Sequence, residues 1–277
     1  MRPLITTTEL AELLGTPEQP TLLDARWRLG GPPGLQVYSQ GHLPDAVFVD
    51  LDTELVSTPG AGGRHPLPSA EDLGKVLRRA GVCAGHPVVV YDDADGSTAA
   101  RVWWLLRWAG HAEVTVLDGG YAAWAAEDRP VTTEVPLPEP GDVEVRPGHL
   151  PVIDADEAAA LARDGVLLDA RVPQRYRGEI EPVDPRAGHI PGARNAPFQQ
   201  HVGEDGRWRS PDELADWFAE LGVSTDTPVG AYCGSGITAS SVVLALEHAG
   251  RAEPAALYAG SWSHWCTDPN RPVATGE

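Results

Sequence analysis

Val229-Gly230-Ala231-Tyr232-Cys233-Gly234-Ser235-Gly236-Ile237-Thr238 carries a short apolar run into a cysteine and on into a loop of small residues. Ala239-Ser240-Ser241-Val242-Val243-Leu244-Ala245-Leu246 follows and reads as a helix. In a strand, loop and helix of this kind, backbone amides converge on one point with the positive end of the helix dipole behind them. A cysteine placed there is expected to be activated toward its thiolate, the nucleophilic form. Gly234 and Gly236 supply the unusual φ values that a tight cradle needs. A buried packing cysteine at a strand end is the other reading, because free cysteine is among the most buried residue types.

Working outward, the segment has a counterpart. Leu167-Leu168-Asp169-Ala170-Arg171 repeats Leu22-Leu23-Asp24-Ala25-Arg26, and Gly188-His189-Ile190-Pro191-Gly192-Ala193 repeats Gly41-His42-Leu43-Pro44-Asp45-Ala46. Tyr232-Cys233 answers Tyr91-Asp92, and Gly260-Ser261-Trp262-Ser263-His264-Trp265 answers the stretch from Gly119 to Trp124. Asp169 lies 145 residues after Asp24, and Cys233 lies 141 after Asp92, so the order is kept with small insertions. A period this long means duplicated domains, since solenoid repeats are far shorter. The duplication also weighs on Cys233. A structural cysteine would have an ordinary core residue as its counterpart, whereas the counterpart is Asp92.

Each copy alternates strands and helices. In the first, helices are expected over 8–14, 71–80, 99–109 and around Trp124, with strands over 21–26, 88–92 and 114–117 and a turn feeding a further strand over 41–50. Such alternation implies a mainly parallel sheet with helices on both faces, an α/β class in which ligands bind outside the carboxyl ends of the strands. The expected division is a first domain over 1–135, a proline-rich linker over 136–149 and a second domain over 150–277. The 142–146 portion of the linker could dock as an edge strand.

At 277 residues and 42% hydrophobic, the chain is long enough for one large domain or two of ordinary size with well-formed cores. Lys+Arg 21 against Asp+Glu 40 gives a net charge of −19, which argues against nucleic acid or an anionic membrane as partner. Arg171, Arg175, Arg177, Arg186 and Arg194 nevertheless fall in one segment and could mark an anion site or a solvated face. Cys83, Cys233 and Cys266 are too few and too scattered for a disulfide framework or a zinc site, and no metal site is expected. Cys83 and Cys266 read as packing residues. Neither a signal peptide nor a membrane span is apparent, so a reduced, cytoplasmic setting is expected.

These residues together resemble the tandem-domain rhodanese superfamily of sulfurtransferases, over essentially the whole chain. The loop Cys233-Gly234-Ser235-Gly236-Ile237-Thr238 is similar to that of its 3-mercaptopyruvate-using members, whereas thiosulfate-preferring ones more often carry a basic residue there. The resemblance implies an inactive first domain and a catalytic second one. It makes Cys233 the nucleophile that takes sulfur as a persulfide, with Gly234, Gly236, Ile237 and Thr238 lining the cradle. Ser235 and Asp52 resemble a proton relay, the aspartate reaching over from the first domain. His65 resembles a substrate-proximal histidine, and Arg175 and Arg186 resemble arginines that grip the donor's carboxylate. Arg186 stands at an unusual distance from His189, and Ala259 replaces an acid of the pattern.

Each assignment has a plainer counterpart: a turn for Ser235, a helix cap for Asp52, an exposed loop for His65. Asp24 and Asp169 read as structural partners of nearby backbone or arginines. The expected reaction takes sulfur from a small anionic donor and passes it to a thiol such as thioredoxin, or to cyanide, with no cofactor. Alternatives are thiosulfate:cyanide sulfurtransfer and a non-enzymatic interaction module. A cysteine phosphatase would need an arginine closing the loop, and Gly236-Ile237-Thr238-Ala239 has none.

Overall fold

The computed structural model describes residues 2–93 and 95–277. They divide into two units. The first comprises Met1–Ser57, Pro68–His149 and Val202–Trp208, and the second Thr58–Leu67, Leu150–His201 and Arg209–Glu277. Each half of the sequence therefore lends one short arm to the unit built mainly from the other half.

The first unit contains β1 (Leu4–Ile5), β2 (Thr21–Asp24), β3 (Val47–Phe48), β4 (Val88–Tyr91) and β5 (Val114–Leu117). They form one parallel sheet in the order β1-β5-β4-β2-β3. β4 is a continuous run of Val88, Val89, Val90 and Tyr91, and Leu22 and Leu23 form the middle of β2, because both faces of these strands are covered. Leu22, Val89 and Tyr91 point to one face, where they pack with Leu10 of the helix Thr7–Leu13 and Trp124 of the helix Gly120–Ala126. Alternation sends Leu23, Val88 and Val90 to the opposite face. The first helix starts where the threonines allow a cap, through a reciprocal pair of hydrogen bonds between Thr6 and Glu9. The helices at Ala70–Arg79 and Ser97–Trp108 fall within two residues of expectation.

The second unit repeats the plan with β6 (Val166–Asp169), β7 (Arg194–Asn195), β8 (Val229–Tyr232) and β9 (Ala256–Leu257), parallel and ordered β7-β6-β8-β9. The β1–β5 pairing survives here only as a bridge between Val152 and Leu257. Helix Ala155–Asp164 begins at an Asp154 cap and lays Ala155, Ala158 and Ala162 against Leu167, Tyr232, Trp262 and Trp265.

The repeated motifs are the joints of this architecture. Asp24 and Asp169 end β2 and β6 and are wholly buried. Each is gripped two-handedly by the arginine two residues on, with closest approaches of 2.7 Å for Arg26 and 2.6 Å for Arg171. The same guanidinium groups reach the carbonyls of Gly41 and Gly188 at 2.8 Å, tying strand end to the glycine-histidine turn. His42 and His189 stack on Tyr38 and Tyr176 with ring centroids 3.8 Å apart in both copies. A buried charge so paired costs several kcal/mol to break from one side, which makes these pairs structural.

The proline-rich stretch packs against the first unit as a strap: Val143 N donates to Val82 O and Arg146 N to Ala109 O, and 142–146 forms no strand. Cys83 is exposed, which corrects its reading as a packing residue, while Cys266 lies in the second core. Among the described residues no helix is long and apolar enough to cross a membrane.

One buried group makes the second unit acid-sensitive. His201 closes a 3-10 turn, 1% exposed, edge-on to Trp217 with centroids 5.5 Å apart. Burial, with Arg209 nearby, pushes its pKa down to about 3. The unfolded chain therefore takes up a proton below the usual histidine value of about 6.5 that the folded chain refuses. Stability falls by ~1.4 kcal/mol per pH unit between those limits. We expect His201→Leu to be least favourable, relative to the parent, at pH 7 and to gain by about 2 kcal/mol at pH 5, read from urea midpoints at both pH values.

Candidate active site

The loop after β8 lies at the carboxyl end of the second sheet, beside β6, where the chain steps to β7 on one side and β8 on the other. This is the switch point at which open α/β sheets leave a crevice. Cys233 is 2% exposed there. Its amide donates to Ser261 Oγ at 3.1 Å, and its carbonyl accepts from Trp262 N at 2.9 Å. The carbonyl of Gly234 accepts from Ser263 N at 2.9 Å. The loop is thus held from behind by Gly260–Ser263, and Ser261 takes a left-handed φ of 53° to do it.

Within the loop, Gly236 N–H donates to Cys233 Sγ at 3.1 Å. Gly236 has φ +88°, and a β-carbon on it would stand 2.5 Å from Ala259 O. Glycine is required on both counts. The carbonyls of Ile237 and Thr238 accept from Ser240 and Ser241 N–H as the helix Ala239–His248 begins. One amide is aimed at the sulfur, and a helix N-terminus follows directly in the chain.

Ser235 Oγ and His65 Nδ1 are hydrogen-bonded at 2.7 Å. His65 comes from the first half of the sequence yet belongs to the second unit, because the arm Thr58–Leu67 lies along the loop. Arg64 N donates to Ser263 Oγ at 3.1 Å and fixes that arm. Arg175, from the helix Pro173–Tyr176, gives Nε and Nη2 to Glu181 at 3.2 and 2.7 Å and Nη2 to Asp184 at 3.1 Å. Asp184 also pairs with Arg64 Nη1. Burial pushes the Asp184 carboxyl above its usual range, with Arg64 opposing.

Arg186 is placed elsewhere. Its two terminal nitrogens donate to the carbonyls of Asp268 and Arg271 at 3.0 and 3.1 Å, and its own carbonyl accepts from Trp262 Nε1. It braces the chain end instead of offering a fork to a ligand. Asp52 belongs to the first unit, where its carboxylate accepts from Trp27 Nε1 at 2.7 Å; the cap of its helix is Asp50. Arg64, Glu181 and Asp184 are not among the residues the sequence points to. Arg64 adjoins His65 in the chain, but a basic arm and a buried acid become complementary only once folded together.

The first copy shows what the loop does without a thiol. Asp92, 3% exposed, accepts from the amides of Gly96, Thr98 and Ala99 at 3.0–3.1 Å. Its carboxylate fills an amide cradle as an internal anion. Trp208, from the arm Val202–Trp208, covers that loop: a β-carbon on Gly96 would stand 2.8 Å from its Nε1. Each arm carries an arginine paired to an acid of its unit, Arg64 to Asp184 and Arg207 to Glu127, and the next residue is His65 in one and Trp208 in the other.

The rhodanese-like domain model matches residues 6–127 and again 154–268. A Pseudomonas aeruginosa protein named, as a probable assignment, 3-mercaptopyruvate sulfurtransferase is 46% identical over 283 residues, covering 99% of this chain and 98% of its own. A Mycobacterium tuberculosis protein with the provisional name thiosulfate sulfurtransferase SseB is 45% identical over 280 residues, at 99% and 97% coverage. The crystal structure of the Escherichia coli 3-mercaptopyruvate sulfotransferase SseA superposes with a TM-score of 0.84 at 32% identity, over 95% of this chain and 100% of that one. Two matched segments, near-complete alignment to sulfurtransferases and the two parallel sheets agree: this chain is a tandem-domain member of the rhodanese family.

Proposed function

We propose that the second unit moves sulfur from 3-mercaptopyruvate to Cys233 as a persulfide, releases pyruvate, and passes the sulfur to a thiol acceptor such as thioredoxin in the cytoplasm. The observation that carries this reading is the Gly236 amide on Cys233 Sγ beside the Ser235–His65 pair. The names of the aligned relatives support it.

Cys233 thiolate attacks the donor's sulfur, a sulfur–sulfur bond forms, and the donor's carbon–sulfur bond breaks. The electron pair departs on carbon as the enolate of pyruvate. The proton first carried by the donor's thiol ends on that carbon. Ser235 and His65, sharing one hydrogen bond, are suited to carry it. The resemblance adds Asp52 to this relay. The amide on sulfur and the helix N-terminus stabilise the persulfide anion. Arg175 holds the donor's carboxylate so that its sulfur meets Sγ, where proximity lowers the barrier. A dithiol acceptor then releases hydrosulfide as it closes its own disulfide, and cyanide would leave as thiocyanate.

Thiosulfate is the competing donor, favoured by the name of the mycobacterial relative. Between Cys233 and Thr238 there is no basic residue to meet its second charge. One such contact is worth roughly 1.5–3 kcal/mol. We expect kcat/KM for 3-mercaptopyruvate to exceed that for thiosulfate ten-fold or more, in steady-state assays with one acceptor. Equal or better use of thiosulfate would overturn the donor assignment. Failure of both donors to add a sulfur atom to the intact protein, by mass spectrometry, would leave an interaction module.

A further inference from the structure

We infer that Arg64, on the arm lent by the first half of the sequence, is the second donor-binding arginine, and that Asp184 couples it to Arg175 in one anion clamp. The inference rests on the reading of Cys233 as the sulfur-accepting residue and assigns a place that the resemblance gave to Arg186.

The geometry is that of two guanidinium groups joined by one carboxylate. Asp184 presents one oxygen to Arg64 Nη1 and the other to Arg175 Nη2. Glu181 takes the remaining inner edge of Arg175 through Nε and Nη2, and is itself fixed by the amides of Val183 and Asp184 at 3.1 and 3.0 Å. Both acids are almost fully buried, 4% and 3% exposed. Each arginine is therefore held from behind and has one terminal nitrogen left over. Those two nitrogens point to the same place. A β-carbon on Gly234, the residue next to the nucleophile, would stand 3.0 Å from Arg64 Nη2 and 3.4 Å from Arg175 Nη1. Gly234 leaves that space open. Two N–H donors from separate guanidinium groups thus form a fork beside Cys233, of the kind that matches two oxygens of one carboxylate.

The clamp's charge sets its selectivity. Arg64 and Arg175 are balanced by Glu181 and Asp184, and Arg171 by Asp169. The donor is gripped by directed hydrogen bonds on a locally neutral patch. This arrangement suits the single charge of a 2-oxo acid better than a dianion. It also explains how a rhodanese-like site can do without a second arginine on its own half of the chain: the arm that brings His65 brings Arg64 with it.

The test uses the full-length protein. Arg64→Gln is expected to raise KM for 3-mercaptopyruvate ten-fold or more with a smaller change in kcat, and to raise the inhibition constant of pyruvate in parallel. Arg64→Lys, which keeps the charge, should recover part of both. Arg177→Gln, at an exposed pair with Glu179, should change neither. Asp184→Asn, which removes one negative charge while keeping the shape, should move the ratio of kcat/KM values toward thiosulfate several-fold. An Arg64→Gln enzyme with KM and pyruvate inhibition within two-fold of the parent would overturn the clamp. So would an Asp184→Asn enzyme with an unaltered donor ratio. If the parent uses thiosulfate alone, the donor assignment falls but Arg64→Gln must still raise KM for thiosulfate, so the two failures are distinguishable.

Discussion

Cys233→Ser is expected to bring sulfur transfer down to background with every donor, while Cys83→Ser and Cys266→Ser keep most of the activity. A serine hydroxyl cannot hold a transferable sulfur, and its alkoxide is inaccessible at neutral pH. The three cysteines differ in setting. Cys83 is exposed with Sγ near Gly81 O, and Cys266 lies in the core, where burial pushes its thiol above the ordinary value. Cys233 sits in the glycine loop at the carboxyl end of β8, with the Gly236 amide donated to its sulfur. The check is direct: protein treated with donor should gain one sulfur atom, and peptide mapping should find it on Cys233. Sulfur recovered on Cys266 would remove the assignment.

Gly236→Ala is the second large effect. The substitution changes one methyl group yet meets two penalties. A non-glycine residue in the left-handed region costs about 1–2 kcal/mol. The added carbon would also stand 2.5 Å from the backbone carbonyl of Ala259, which no side-chain rotation can relieve. The loop must open, and the amide it displaces is the one that donates to Cys233 Sγ. Loss of one such donor to a developing anion costs about a hundred-fold in rate in comparable sites. We expect kcat to fall by that order, with a modest drop in thermal stability. An alanine variant with normal kcat would mean that the Gly236 amide plays no part in the chemistry.

Asp92 offers a natural comparison for the same loop. With a carboxylate in the cysteine's place, three amides close on it and the cradle is satisfied from within. The first copy is thereby stabilised and chemically silent. The turn after β4 thus closes on an internal anion, and the turn after β8 seats a nucleophile. The two differ along their length as well as at this position: Asp92-Asp93 stands where Cys233-Gly234 does, and the left-handed glycine is Gly96 in one and Gly236 in the other.

The duplication, the strand-helix alternation and the place of Cys233 are legible in the sequence, because these depend on local patterns. Apolar runs make strands, glycines admit left-handed turns, and an aspartate two residues before an arginine can close on it within one strand end. Its limits were those of distance along the chain. Arg186 had the right chemistry and the right neighbourhood in sequence, but folding spends its guanidinium on the carbonyls of Asp268 and Arg271. Arg64 lies 169 residues before Cys233, and nothing near it in sequence announces a partner. That Thr58–Leu67 belongs to the second unit, bringing His65 to Ser235 and Arg64 to Asp184, emerges only on folding. The physical reason is that a polar arm finds its place through complementary charges and hydrogen bonds supplied by a remote segment, and those leave no periodicity to read.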